Sequence, residues 1–287
     1  MPKRMLTNRR SALKTRAPVV VWLALLALAA PAPAAEPVDH GAWSELLAEH
    51  VTWDADGVNT TVDYRGFRTD RESLRGYLQR LSSVTPEGFT RWRRPARTAF
   101  LVNAYNAFTV ELILRHYPDI DSIRDIGGWF GSPWKKRFFE LLGERRHLDA
   151  VEHELLRGAE DFAEPRIHFA VNCASVGCPA LRDEAYTGER LDAQLEDQTQ
   201  RFLQDRARNH FDSGTGTLTV SPLFRWYRED FEIGYRGTTT PAGFLGLYAD
   251  ALGDTPATRQ RIRAGNFELA FGDYDWSLND RAHPQRQ

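Results

Sequence analysis

The run Ala99–Leu114 (AFLVNAYNAFTVELIL) is apolar nearly all the way round a helical wheel, and a water-soluble chain can keep such a helix only by burying it on most sides. The periodicity predicts a helix over 97–116 that lies at the centre of the molecule, with the other elements packed around it. Asn103 and Asn106 fall about 60° apart on it, on the stripe that also carries Ala99, Ala107, Val110 and Leu114. Two amides therefore enter the core. An unpaired buried amide group costs about 1–3 kcal/mol, so each must either tie down a neighbouring loop or contact a substrate or oxyanion.

Helical spacing also recurs at 41–50, 70–82, 149–158, 189–206, 222–232, 241–252 and 257–264. Strands are expected at Asn59–Tyr64, Arg166–Cys173, Thr217–Val220 after the Asp212-Ser213-Gly214 turn, and Phe267–Phe271. Short strands scattered among helices, without regular alternation, predict an α+β fold: a helix-rich single domain with a small sheet packed on the buried central helix. No internal repeat or low-complexity tract divides residues 35–287, so they read as one globular domain.

Residues 1–34 read as an export signal. Basic residues precede an apolar run from Val19 to Ala30 and then Ala32-Pro33-Ala34, the small-x-small pattern of a cleavage site near Ala34. Asn8-Arg9-Arg10-Ser11-Ala12-Leu13-Lys14 has the form of a twin-arginine signal, with ordinary secretion as the alternative. Twelve apolar residues cover only about 18 Å of a hydrocarbon layer of roughly 30 Å, so no stable membrane span is expected. The expected location is the periplasm, where thiols meet oxidants. Of the 37 Lys and Arg residues, six lie in this leader, which holds no acid; the remainder carries 31 against 39 Asp and Glu, a formal −8. That balance excludes nucleic acid as the main partner and leaves a small-molecule, peptide or thiol substrate.

Candidate chemistry gathers in two segments. Asp149 and Glu152 have the spacing of a capping box, yet the wheel turns Glu152 toward Leu155 and Leu156, with His153 at the edge of that face. A half-buried Glu beside a His is also a setting for general acid–base work. The segment Arg166–Pro179 (RIHFAVNCASVGCP) holds His168 and both cysteines, Cys173 and Cys178. Strand alternation would put His168 and Cys173 on opposite faces, so a nucleophilic Cys173 would need a base such as His153 from elsewhere. Three readings of the cysteines stand open. They form a structural disulfide worth about 2 kcal/mol, act as a catalytic or redox thiol, or bind metal, which the x4 spacing disfavours. The aromatic, glycine-rich run Gly127–Trp134 reads as a loop that closes over a site or is stapled by its own tryptophans. In the predicted 222–232 helix, Trp226 and Asp230 share a face and read as packing with an anchored carboxylate. No phosphate loop, dinucleotide fingerprint or Gly-x-Ser-x-Gly elbow occurs, so neither cofactor nor metal is expected.

Five blocks in order carry a family resemblance: Asn103-Ala104-Tyr105-Asn106 within the central run, Val151–Arg157, His168–Ser175 with Cys178-Pro179, Phe224–Tyr227 with Asp230-Phe231, and Tyr274–Asn279. Together they resemble the domain of unknown function 547 family over about residues 95–279. The resemblance implies no established activity, but the family is similar to domains joined in some proteins to glutaredoxin modules, which turns the reading toward thiols. The expectation is thiol-dependent catalysis centred on Cys173, as acyl or amide transfer, hydrolysis or thiol redox. In it His153 or His168 is the base, Glu152 orients the histidine, Asn103 or Asn106 holds an amide or oxyanion, and Cys178 is a second thiol or disulfide partner. The alternative is a periplasmic binding module with a structural Cys173–Cys178 disulfide.

Overall fold

The computed structural model describes Met1 and residues 38–127, 131–158 and 164–282, and the chain divides into two units, Met1–Ala35 and Glu36–Gln287. The expected leader lies outside the described residues, so the fold is that of the second unit. It opens with α1 (Gly41–His50) and the β1 (Val51–Trp53) and β2 (Thr60–Val62) hairpin, followed by α2 (Tyr64–Thr69), α3 (Arg71–Ser82) and α4 (Pro86–Thr90). The apolar run then forms α5 (Arg94–Leu114), in which every residue from Ala99 to Leu114 is buried. The hairpin of β3 (Phe139–Leu141) and β4 (Glu144–Arg146) packs on it through Phe139, whose ring stacks on Phe108 at 3.8 Å. Its two-residue turn, Leu142-Gly143, has both φ values positive, at 53° and 74°, as the twist of a tight hairpin requires.

A π-helix (Ala150–Leu156) and a 3-10 helix (Pro165–Phe169) lead to α6 (Leu191–Gln204). A three-stranded sheet follows, in which β6 (Thr217–Val220) pairs antiparallel with β5 (His210–Asp212) and parallel with β7 (Glu268–Phe271). Between β6 and β7 lie α7 (Leu223–Trp226), a 3-10 turn (Arg228–Phe231), α8 (Pro241–Leu247), α9 (Ala249–Leu252) and α10 (Pro256–Arg263). Thr-Pro starts three helices, α4, α8 and α10; in each, the Thr side chain accepts the N–H three residues on and the Pro fills a position that needs no donor. Among the described residues no helix is long and apolar enough to cross a membrane.

The fold is helix-rich α+β, and among the described residues the strands divide among three small sheets instead of one. Three local expectations are corrected. Arg166–Cys173 is not a strand: Glu164 caps the N–H of Arg166, Pro165 sits at the first helical position, and the chain turns as a 3-10 helix through Phe169. The alternation misled because the segment is buried on both sides, with Ile167, Ala170 and Val171 in the core around α5 and Phe169 in a second, aromatic core with Phe202, Phe224, Phe231 and Phe244. The predicted 222–232 helix is broken after Trp226. The 149–158 helix is a π-helix with no capping box; the Asp149 side chain makes no cap bond, and His147 Nδ1 accepts the Ala150 N–H at 3.0 Å instead.

Candidate functional site

The segment that joins the two cores also carries the chemistry. Asn106 on α5 clamps it, donating to Ala170 O (2.9 Å) and accepting from Asn172 N–H (2.8 Å). Asn172 in turn closes the next loop, donating to Pro179 O at 2.7 Å and accepting from Ala174 N–H at 2.9 Å. That closure holds Ala174 at φ 64°, a left-handed conformation that costs an L-residue about 1–2 kcal/mol. Strain of this kind, over-determined by its surroundings, is a pointer to function. Asn103 makes the same two-ended clamp on Tyr186, at 2.8 and 2.9 Å, on a different loop. Both asparagines are thus anchors for backbone, outside the lining of the cavity described next, and the oxyanion role expected of them is not what their amides do.

A cavity of about 200 Å³ is lined by Glu152, His153, His168, Cys173 and Cys178, together with Tyr105, Trp226, Tyr227, Tyr274 and Trp276. Five of the seven residues singled out from sequence therefore meet in one place. Trp134 lines it as well, while residues 128–130 of the expected covering loop lie outside the described residues. Glu152 arrives on the π-helix, an element rare in proteins and frequent at functional sites. It is 5% exposed and its Oε1 has no hydrogen-bond partner. Burial, with the Glu152 carboxylate facing them, pushes the phenols of Tyr105 and Tyr227 well above the usual range.

His168 is 1% exposed, and its Nε2 lies 2.6 Å from Asp230 Oδ2. Arg157 grips the same carboxylate with two donors, at 2.5 and 3.0 Å. Burial opposes the charge on Asp230, but the bonds from His168 and Arg157 prevail and hold its carboxyl below the usual range. An ionised acceptor places a hydrogen of His168 on Nε2, and Nδ1 has no hydrogen-bond partner among the described residues. Tyr227 stacks on the imidazole at 3.9 Å and fixes its plane. His153 is held differently, through Nδ1 at 2.8 Å from Arg157, and Glu152 bonds neither histidine.

Cys173 and Cys178 form a disulfide across the loop that Asn172 closes. Cys178 Sγ is the more enclosed sulfur and receives the Cys173 N–H at 2.9 Å and the Tyr274 hydroxyl at 3.1 Å. Cys173, part-buried, has the hydroxyls of Ser175 and Tyr274 at 3.2 Å each. Tyr274 reaches the sulfurs because the C-terminal segment is pinned beside the loop, with Val176 N–H on Ser277 O and Gly177 N–H on Asp275 O, both at 2.8 Å. Glycine is required there: a Cβ on Gly177 would lie 2.9 Å from Asp275 O. Neither histidine hydrogen-bonds a sulfur. Asp230, Tyr227 and Tyr274 complete the site without having been singled out for it. The one signal for Asp230 was an acid set among aromatics, since its histidine lies 62 residues away.

Elsewhere among the described residues, Glu49, His50 and Asp70 place ligand atoms within 4.8 Å of one another, but His50 Nε2 is already hydrogen-bonded to Asp70 at 2.8 Å. No curated protein and no solved structure matches the chain. A family model does match, over residues 89–203, which takes in α5, the π-helix and the disulfide loop and stops short of Tyr227, Asp230 and Tyr274. Residues 89–203 are similar to the family described as Protein of unknown function, DUF547.

Proposed function

We propose that the protein is an exported thiol–disulfide oxidoreductase whose reacting bond is Cys173–Cys178. The observation that carries this reading is that the disulfide and a histidine oriented by Asp230, with its second nitrogen unpartnered, line the same cavity. His168 Nδ1 takes the proton of an incoming thiol. The thiolate forms a bond to Cys173 Sγ, the more accessible sulfur, and the S–S electron pair passes to Cys178 Sγ, where the Cys173 N–H and the Tyr274 hydroxyl hold the new thiolate. A second substrate thiol attacks the substrate sulfur of the mixed disulfide, forming the substrate disulfide and releasing Cys173. Two substrate thiols are oxidised and the protein disulfide is reduced to two thiols, and the same steps reverse with a substrate disulfide. Acyl transfer has less support, because it needs a histidine bonded to a free Cys173.

The test uses protein purified in its oxidised form, with a small thiol in excess. In the reverse direction, Cys178→Ser is offered a small symmetrical disulfide: its Cys173 thiolate attacks one sulfur, the other half leaves as a thiol, and mass spectrometry reads the mixed disulfide trapped on Cys173. At pH 7 a thiol of pKa about 8.5 is roughly 3% thiolate, so a base gains at most about thirtyfold. His168→Gln is expected to slow exchange about tenfold or more at pH 7 and to approach wild type near pH 9.5, where the thiol ionises unaided. A disulfide that resists excess thiol in folded protein would leave the bridge as a staple, and the alternative reading, a binding module built on the Asn172-closed loop, would stand. Export rests on the basic, apolar and Ala32-Pro33-Ala34 succession. N-terminal sequencing of secreted protein is expected to begin near Ala35, and recovery of uncleaved chain in the cytoplasm would refute it.

A further inference from the structure

The cavity is one-sided in charge. Among the described residues Asp149 and Glu152 line it and no Lys or Arg does, while the nearby Arg157 directs its hydrogen bonds to Asp230 and His153. No cation hydrogen-bonds the buried Glu152 carboxylate: the Tyr105 and Tyr227 phenols face it, Arg157 acts on it only through space, and its Oε1 keeps no hydrogen-bond partner. The remaining walls are ring faces. Tyr274 and Trp276 pack at 4.4 Å, Trp226 lies nearly parallel to Trp276 at 5.9 Å, and Trp226 stays 44% exposed. A carboxylate at the base of an aromatic enclosure attracts a cation twice, by its charge and by the ring quadrupoles, and repels an anion.

We infer that the cavity recognises an ammonium group, and, resting on the thiol-exchange reading, that its preferred substrate is a small thiol bearing a protonated amine. Glu152 meets the ammonium while the sulfur is delivered to Cys173, so binding at one end of the molecule aligns the other for attack. Asp149 adds to the negative potential of the same wall.

Cysteamine, 2-mercaptoethanol and 3-mercaptopropionate have similar reach and differ in charge. Their exchange rates with the oxidised protein, each divided by the rate of the same thiol with oxidised glutathione, separate recognition from intrinsic reactivity. The expected order is cysteamine at least tenfold above 2-mercaptoethanol, with 3-mercaptopropionate lowest, and Glu152→Gln is expected to bring the cysteamine to 2-mercaptoethanol ratio near one. If that variant fails to fold, Trp276→Leu is expected to lower the ratio severalfold. Equal normalised rates for the three thiols in wild type would overturn ammonium recognition and leave thiol exchange standing. If none of the thiols reacts, exchange itself fails. Propylammonium titrated against tryptophan fluorescence then decides the ammonium site alone: saturable quenching that is lost in Glu152→Gln supports it, and no response overturns it.

Discussion

Asn103 binds both backbone groups of Tyr186 through one fully buried amide. Replacing it by Leu leaves a buried N–H and a buried C=O without partners, at about 1–3 kcal/mol each. Asn103→Leu is therefore expected to lose about 2–6 kcal/mol, measured as a lowered urea midpoint at unchanged m-value. A loss below about 0.5 kcal/mol would contradict the clamp. That two amides enter the core was legible from their place on an apolar stripe. What they bind was not, because Tyr186 and Ala170 lie 83 and 64 residues downstream and no local period reports them. Glu152 shows the converse: its spacing from Asp149 pointed to a cap, and the π-helical backbone turned the carboxylate into the cavity wall instead.

The disulfide loop is an element held by more than its bridge. Asn172 closes it from within, and the pinned C-terminal segment holds it from outside. Reduction is thus expected to cost about 2 kcal/mol, the chain entropy of a loop of roughly six residues, without loss of secondary structure by circular dichroism. Unfolding on reduction alone would show that the hydrogen bonds do not hold the loop. Gly177→Ala tests the outer support, since its Cβ would meet Asp275 O at 2.9 Å and Asp275 N at 3.0 Å. The clash with backbone is expected to cost about 1–3 kcal/mol, and by moving Tyr274 off the sulfurs it should slow thiol exchange beyond the slowing of a surface Gly→Ala control. An exchange rate equal to that control would separate Tyr274 from the chemistry. Both cysteines were visible in the sequence, but the Tyr274 hydroxyl beside them was not, 96 residues beyond Cys178.

At the scale of the molecule, acid stability is expected to depend on a residue outside the cavity lining. His40 is 6% exposed, bonded through Nδ1 to the Tyr77 hydroxyl at 2.7 Å, and burial lowers its pKa to about 4, against a smaller opposing pull from Asp39. The unfolded chain, with His near 6.5, binds the proton more tightly than the folded one, so stability is full above pH 6.5 and falls as pH drops toward 4. The shift amounts to about 3 kcal/mol at the end of that window. Below it Glu111 and Asp230, whose arginine partners and, for Asp230, His168 hold them ionised against burial, add a further loss as they protonate. Urea midpoints taken from pH 8 to pH 4 are expected to fall steeply in wild type and more gently in His40→Gln. Parallel curves would place the acid-sensitive group elsewhere.

The sequence by itself determined that α5 is central, that the chain is helix-rich with short strands, and that Cys173, Cys178, His168, His153 and Glu152 are the residues to watch, because hydrophobic period and residue chemistry are local properties. Tertiary structure decided that Arg166–Phe169 coils instead of extending, since a segment buried against two cores has no polar face to set a period. It also decided that Asn103 and Asn106 anchor backbone, that a carboxylate from Asp230 holds a cavity histidine 62 residues earlier, and that the phenol of Tyr274 reaches sulfurs 96 and 101 residues earlier. Such pairings depend on chain closure and packing, and no stretch of sequence short enough to have a period contains both partners.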